Sequence, residues 1–336
     1  MTESCAILVT GGAGYIGSHA CRALQAAGYQ PVVYDNLTTG HKSFVSEPLV
    51  VGDLLDRAVL ARTFAQYKIQ AVMHFAAASL VGESMIEPEK YYVNNVGGTL
   101  SLLGTMREAG CTRLVFSSTG AVYGHADSQA LPETYPCAPI NTYGATKWMI
   151  ERMLADYREA YGFGAFCLRY FNASGADAGG GIGELRDNET HLIPRAMMTL
   201  QGYLSDFAVF GDDYDTPDGT AIRDYIHVTD LAAAHVAALK PLMHGHRGGA
   251  FNLGTGKGFS VREILKAIAV EAGREVPHVI KPRRVGDPTY LVADPSAARE
   301  VLKFSPKHSD LATITGTAWA WHQKVHPKKA VQAALD

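Results

Sequence analysis

The chain has 336 residues, 47% of them hydrophobic, with a formal net charge of −3. That is enough apolar side chain to bury a large core, and more length than one ordinary domain needs. The sequence has no basic stripe, which argues against nucleic acid and anionic membrane surfaces and leaves small molecules as the expected ligands.

The five cysteines, Cys5, Cys21, Cys111, Cys137 and Cys167, form no C-x-x-C pair and mostly fall in or beside apolar runs. They read as thiols in a reducing compartment. Met1-Thr2-Glu3-Ser4 is acidic and leads directly into an apolar run, and no run reaches membrane-spanning length. The expected location is the cytoplasm. None of the thirteen histidines stands in H-E-x-x-H or a His/Cys cluster, and His244 and His246 lie in a Gly/Arg-rich stretch. No metal is expected.

The first apolar run, Ala6 to Val9, meets Thr10-Gly11-Gly12-Ala13-Gly14-Tyr15-Ile16-Gly17 and then an alanine-rich helical pattern. A pyrophosphate lies on a helix N-terminus only where the backbone comes close, so the turn must lack Cβ atoms at its contacts and tolerate positive φ. Gly11, Gly14 and Gly17 meet that need in a strand, turn, helix context. The helix is expected from Gly14 to Ala27, with Gly28 closing it. A second run, Val32 to Tyr34, ends in Asp35, where a carboxylate accepts from ribose hydroxyls and repels a 2′-phosphate, so NAD is favoured over NADP.

Val50 to Leu54 is a third short strand, and Asp53 within it is read either as a cofactor contact or as the N-cap of the next helix. Ala71 to Phe75 is a fourth strand, running into Ala76-Ala77-Ala78-Ser79, whose small side chains admit close backbone approach. The helix after Pro88 carries Tyr91 and Tyr92 as core, with Asn95 placed to face a dinucleotide. Arg113 to Ser118 is the fifth strand and Phe163 to Phe171 the sixth, with Asn141 and Thr142 offering a cap to a helix between them. Strands and helices alternating at this spacing predict an α/β fold, a Rossmann-type doubly wound parallel sheet. The rhythm breaks at Asn172 and the chain beyond reads as irregular, apart from an alanine-rich helix from Asp230 to Leu239. The expected division is a dinucleotide-binding domain over 1–173 and a smaller C-terminal α/β substrate domain over 174–336.

Tyr143 and Lys147, four apart on one helix, project from the same face. A phenol near pKa ~10 acts as a base near neutrality only if its anion is stabilised, by about 4 kcal/mol for a shift of roughly three units. A lysine ammonium and a cationic nicotinamide would supply that. The hydroxyls of Ser117, Ser118 and Thr119 stand at a strand end, and Thr119 is placed to hydrogen-bond a substrate hydroxyl.

The strings TGGAGYIGSH, DNL at Asp35, HFAAASLVGES, YY-x-NN, FSST-x-x-VYG, Y-x-x-x-K, RYFN, RDYIHV and RR-x-GD span most of the chain, from Ile7 to about Trp321. In them the sequence resembles the extended short-chain dehydrogenase/reductases, and within that family the enzymes that epimerise UDP-sugars at C4. The resemblance implies NAD contacts from Tyr15, Ile16, Asn36, Asp53, Leu54, Phe75, Ala76, Asn95, Ser117, Tyr143, Lys147 and Tyr170, beside the glycines and Asp35. It implies catalysis by Thr119, Tyr143 and Lys147, with Thr119 and Tyr143 also touching the sugar. Asn172, His191, Leu192, Arg223, Arg284, Asp287 and Leu291 would hold the UDP-sugar, the arginines on its diphosphate. Tyr143 would take the 4-hydroxyl proton while hydride passes to NAD. The 4-keto sugar would then turn over and receive hydride on its other face. The implied substrates are UDP-glucose and UDP-galactose, with UDP-xylose/UDP-arabinose or UDP-N-acetylhexosamines as alternatives, and a homodimer is implied as well.

Three positions depart from the familiar pattern: Ser79 replaces a lysine that touches the ribose, His191 stands where some relatives carry asparagine, and Leu291 occupies a position that gates N-acetylated sugars. A sugar-nucleotide 4,6-dehydratase needs an acid and a base directly after the threonine, where this chain has Gly120 and Ala121. A non-catalytic NAD-sensing protein would be expected to lose Tyr143, Lys147 or the arginines, and all are present.

Overall fold

The computed structural model describes residues 5–284 and 286–327. Seven parallel strands form its central sheet, in the spatial order Gly248–Leu253, Gly164–Tyr170, Arg113–Thr119, Ala71–His74, Ala6–Thr10, Gln30–Asp35, Leu49–Val51. Each inner strand is apolar on both faces, as a sheet covered on both sides requires. Ile7, Val9, Val33, Met73 and Val115 face one core with Ala20, Leu24, Leu231 and Leu239. Their neighbours Leu8, Val32, Tyr34, Val72 and Leu114 face the other, with Leu60, Phe64, Leu102, Met106, Ile150 and Leu154.

The sheet turns outward in both directions from Ala6–Thr10. The loops after Thr10 and His74 therefore part at the carboxyl ends of adjacent strands, the place where such sheets take ligands. The first helix runs Tyr15–Ala26, and Gly28 follows with φ +83. Asp53 does not cap the next helix. Asp56 does, accepting from the amides of Ala58 and Val59, while Asp53 accepts from Leu55 N at 2.9 Å in a local turn.

Beyond residue 173 the chain is more regular than its sequence suggests. Asn172–Ser174 pairs with Ile222–His227, in a second sheet that also holds Gly258–Ser260, Tyr290–Ala293 and Ser128–Leu131. Helices Leu192–Leu200, Val261–Ala272 and Leu311–Val325 close a third core around Ile193, Met197, Ile264, Ile268 and Ile314. The division expected at residue 173 is crossed in both directions. Gly248–Leu253 returns to the edge of the seven-stranded sheet, and Ser128–Leu131 leaves the first half for the second sheet. Helix Val228–Met243 packs its Leu231, Leu239 and Leu242 into the core under the first sheet.

Buried histidines set the acid limit of this fold. His19, His227, His235 and His322 are pushed down to about 4, and His74 to about 3, with burial the leading cause in each. The unfolded chain takes up these protons from pH 6.5 downward and the folded chain does not. Stability held above that pH is therefore lost as the pH falls toward 4, each histidine withdrawing up to about 1.4 kcal/mol per pH unit. Urea midpoints measured across this window are expected to drop steeply on acidification, and a flat midpoint would show that the histidines stay solvated.

Candidate active site

Gly11 has φ +72, and a Cβ there would lie 2.6 Å from Ala76 N, across the gap between the two diverging loops. A Cβ on Gly17 would collide with Gly11 O. Gly14 is the N-cap of Tyr15–Ala26 and carries no side chain over the first turn. This is a cradle that side chains would fill, with free helix N–H groups at its floor. Asp35 holds the cradle in shape: Oδ2 accepts from Ala13 N at 3.0 Å and Oδ1 from Leu37 N at 2.8 Å. Burial raises its pKa, and these two bonds oppose the rise. Each oxygen keeps a second lone pair for a ribose hydroxyl.

The other expected cofactor residues line the same edge. Asn36 donates to Asp53 Oδ2 at 3.0 Å, tying the ends of the second and third strands together. Leu54 is buried, Ile16 and Ala76 are half-buried, and Phe75 packs its ring 4.8 Å from that of His235. Tyr15 donates to Gly175 O at 2.6 Å. Asn95 is placed differently from expectation. It is fully buried, its carbonyl accepts from Ala78 N and Asn94 Nδ2, and its amide donates to Ala78 O and Thr146 Oγ1. All four of its hydrogen-bonding positions are engaged within the chain, so it shapes the Ala76–Leu80 loop from below.

Asn141 caps helix Thr142–Tyr161 by accepting from Gly144 N at 2.8 Å, which fixes where Tyr143 and Lys147 emerge. Thr119 ends its strand, accepts from Ala121 N at 3.1 Å, and stands beside Tyr143, where its hydroxyl works to lower the phenol's pKa. Lys147 is 2% exposed, donates to Ser117 O at 2.8 Å, and sits over the rings of Phe116 and Tyr143 at 4.8 and 5.8 Å. Burial brings it down to about 7, against the pull of Glu151. The ammonium thus stands beside the phenol ring, as expected, with a backbone carbonyl as its hydrogen-bond acceptor. Burial raises the Tyr143 pKa, while Thr119 and Arg186 work to lower it. Ser117 Oγ and Tyr170 OH are 2.6 Å apart beside this pair.

The residues expected on the sugar nucleotide lie on the second sheet and its loops. Asn172 donates to Asp224 O at 3.0 Å. Arg223 is paired with Asp287 at 2.5 Å and also donates to Ile222 O, so part of its fork is already engaged. Arg284 is exposed and lies 4.0 Å over the ring of Phe210, an aromatic that the sequence reading did not single out. Leu291 is in register with Arg223 and Ser128, against the cluster of Val122, Tyr123, Ala126 and Leu131. Leu192 opens helix Leu192–Leu200, and His191 is its N-cap.

A charged cluster around His191 also went unread. Glu184 Oε1 accepts from His191 Nδ1 at 2.6 Å and from Arg186 Nε at 2.9 Å, and Glu189 lies 3.8 Å from the same imidazole nitrogen. Both carboxylates are buried. Burial works to raise Glu184, but His191 and Arg186 outweigh it and hold the group ionised, whereas burial and the Glu184 charge push Glu189 up. The signal available was the charge density of Glu184 to His191 in a segment read only as loop.

Residues 7–254 match the model of the NAD dependent epimerase/dehydratase family. The chain belongs to that family. It is 52% identical over 319 residues to the UDP-glucose 4-epimerase of Rhizobium meliloti (strain 1021), a match covering 95% of this chain and 97% of that protein. The crystal structure of UDP-glucose 4-epimerase from Brucella ovis in complex with NAD aligns with a TM-score of 0.92 at 53% identity, over 94% of this chain and 98% of that one. The UDP-glucose-4-epimerase structure from Stenotrophomonas maltophila, with bound NAD and formylated UDP-arabinopyranose, aligns with a TM-score of 0.93 at 41% identity, over 96% and 98%. Both of those structures hold NAD, and NAD is the cofactor of this chain as well.

Purified epimerase is accordingly expected to release NAD or NADH on denaturation with none added. Gly17→Ala, whose Cβ meets Gly11 O, should lower the amount released at least roughly tenfold. Release of NADP alone would overturn the role of Asp35.

Proposed function

We propose that Tyr143 is the base of an epimerisation at the sugar C4, with Thr119 sharing its proton and Lys147 supplying positive charge beside it. The chain is an NAD-dependent UDP-sugar 4-epimerase. The observation that carries the residue assignment is convergence: Thr119, Tyr143 and Lys147 meet at the carboxyl end of Arg113–Thr119, in the sheet whose Gly11 cradle lies two strands away. NAD, held by the cradle, Asp35, Asn36, Asp53 and Phe75, supplies a reversible hydride acceptor and a cationic ring. The chain's own task is the proton. Thr119 takes up and passes on the hydrogen bond of the 4-hydroxyl, Tyr143 removes its proton and later returns it, and a cation within reach keeps the phenolate accessible.

Asn172, His191, Leu192, Arg223, Arg284, Asp287 and Leu291 are assigned to the UDP-sugar, and UDP-glucose/UDP-galactose is the proposed pair. Elimination of water finds no support, because Gly120 and Ala121 bear no titratable group and a Cβ on Gly120 would lie 2.6 Å from the Phe171 ring. We further assign a homodimer. Its support is the exposed Met149 on Thr142–Tyr161 and the exposed Met85, Ile86, Tyr92 and Val93 on helical segments packed against it. No helix among the described residues is long and apolar enough to cross a membrane. All five cysteines are free, which supports a reducing, cytoplasmic setting.

Tyr143→Phe removes the base with little loss of packing, so the variant should fold and retain cofactor while turnover falls at least roughly 10²-fold. Lys147→Ala should in addition move the ascending limb of the pH profile upward. Near-normal turnover by Tyr143→Phe would place the base elsewhere. Leu291 tests the choice of sugar. An acetamido group crowding a packed pocket costs roughly 1–3 kcal/mol, or about 5- to 150-fold in relative efficiency. UDP-galactose should therefore be preferred over UDP-N-acetylgalactosamine, with Leu291→Ser narrowing the ratio and Leu291→Tyr widening it. A ratio that neither substitution moves would remove Leu291 from the pocket.

A further inference from the structure

Glu151 stands one helical turn beyond Lys147, and the reaction described above makes no use of it. Its side chain and that of Arg169 are each 4% exposed. They meet as a fork, Arg169 Nε donating to Oε1 at 3.0 Å and a terminal nitrogen to Oε2 at 2.6 Å. Ser118 Oγ donates to the same Oε1 at 2.5 Å. The carbonyl of the preceding residue, Ser117, is the acceptor of Lys147 Nζ. The helix is thus fastened to Arg113–Thr119 at two successive residues, once through a cation and once through an anion, and to Gly164–Tyr170 through Arg169. The remaining guanidinium nitrogen donates to Tyr123 OH at 2.9 Å, and that hydroxyl donates to Asn252 Oδ1 at 2.7 Å on the edge strand.

A buried ion pair is weak evidence for stability, because apolar side chains of the same volume often serve as well. Its charge is better explained by what stands beside it. On its own helix Lys147 has Tyr143 and Glu151. From Ala71–His74 it faces His74, held neutral by burial and by hydrogen bonds with Thr10 and Thr99. Among these groups Glu151 is the anion, and it is the charge that works against the loss of the Lys147 proton.

We propose that the Glu151–Arg169 fork is the positioning device of the proton-transfer site: it sets the catalytic helix against the strand end and keeps the Lys147 ammonium charged beside Tyr143. The proposal rests on the reading of Tyr143 and Lys147 given above. Arg169 orients the carboxylate and satisfies both of its oxygens, and the Glu151 charge acts on Lys147 across one turn of helix.

Glu151→Gln alone leaves a buried guanidinium without an anion and can unfold the chain. The informative variant is Glu151→Gln with Arg169→Met, which removes both charges at nearly constant size. It is expected to fold, as judged by its urea transition, to retain NAD, and to keep KM within about twofold while kcat near neutrality falls roughly tenfold or more. The ultraviolet titration of the Tyr143 phenolate, read as a difference from Tyr143→Phe, should move up by about one pH unit. Arg169→Lys keeps the charge and loses the fork, and should lower kcat with the titration unmoved. If the double variant does not fold, Glu151→Asp reads the same two quantities. Wild-type kcat and titration in whichever variant folds, with Tyr143→Phe inactive, would overturn the fork's role alone. An active Tyr143→Phe would overturn the base assignment and the fork's role with it.

Discussion

The buried ammonium of Lys147 is the constraint on which the site depends. A lysine at 2% exposure has lost its water, and what replaces it is one backbone carbonyl at the end of a strand and two aromatic faces. That arrangement is possible only if the strand ends there, if the helix cap at Asn141 sets the rotation of the helix, and if the sheet is covered on both faces. Desolvation then draws the ammonium down to about 7, where its charge responds to small changes around it. A group so poised suits chemistry in which a neighbouring phenol must give up and regain a proton.

The glycine cradle obeys the same logic of close approach. Gly11 and Ala76 belong to loops that leave adjacent strands in opposite senses, and they come near enough that a single Cβ would part them. Asp35 is bound into this arrangement through Ala13 and Leu37, so it shapes the cradle as well as facing it. On the second sheet Arg223 and Asp287 form a pair of their own, and Arg284 rests on Phe210. Both groups of charged side chains are therefore oriented within the chain itself.

Much of this was legible in the sequence because it rests on local rules. The glycine spacing, the carboxylate ending the second strand, and a tyrosine and lysine four apart are read within a few residues of one another. What escaped depends on partners distant in the chain. Asn95 was expected at the cofactor, but its amide is saturated by Ala78 and Thr146. Lys147 was expected beside the phenol, but that its ammonium is held by Ser117 O, thirty residues earlier in the chain, left no local mark. The return of Gly248–Leu253 to the first sheet left no periodic mark, and the buried carboxylates Glu184 and Glu189 sit in a stretch whose composition reads as solvated loop.

Central to the account is that one hydrogen leaves C4 of the sugar and returns to the opposite face of the same carbon while Tyr143 handles only the proton. UDP-galactose carrying deuterium at C4 tests this directly. The purified protein should yield UDP-glucose that keeps the deuterium at C4 both with no cofactor added and, in a parallel reaction, with excess unlabelled NADH. Loss of the label to solvent, or its dilution by the added NADH, would contradict the account.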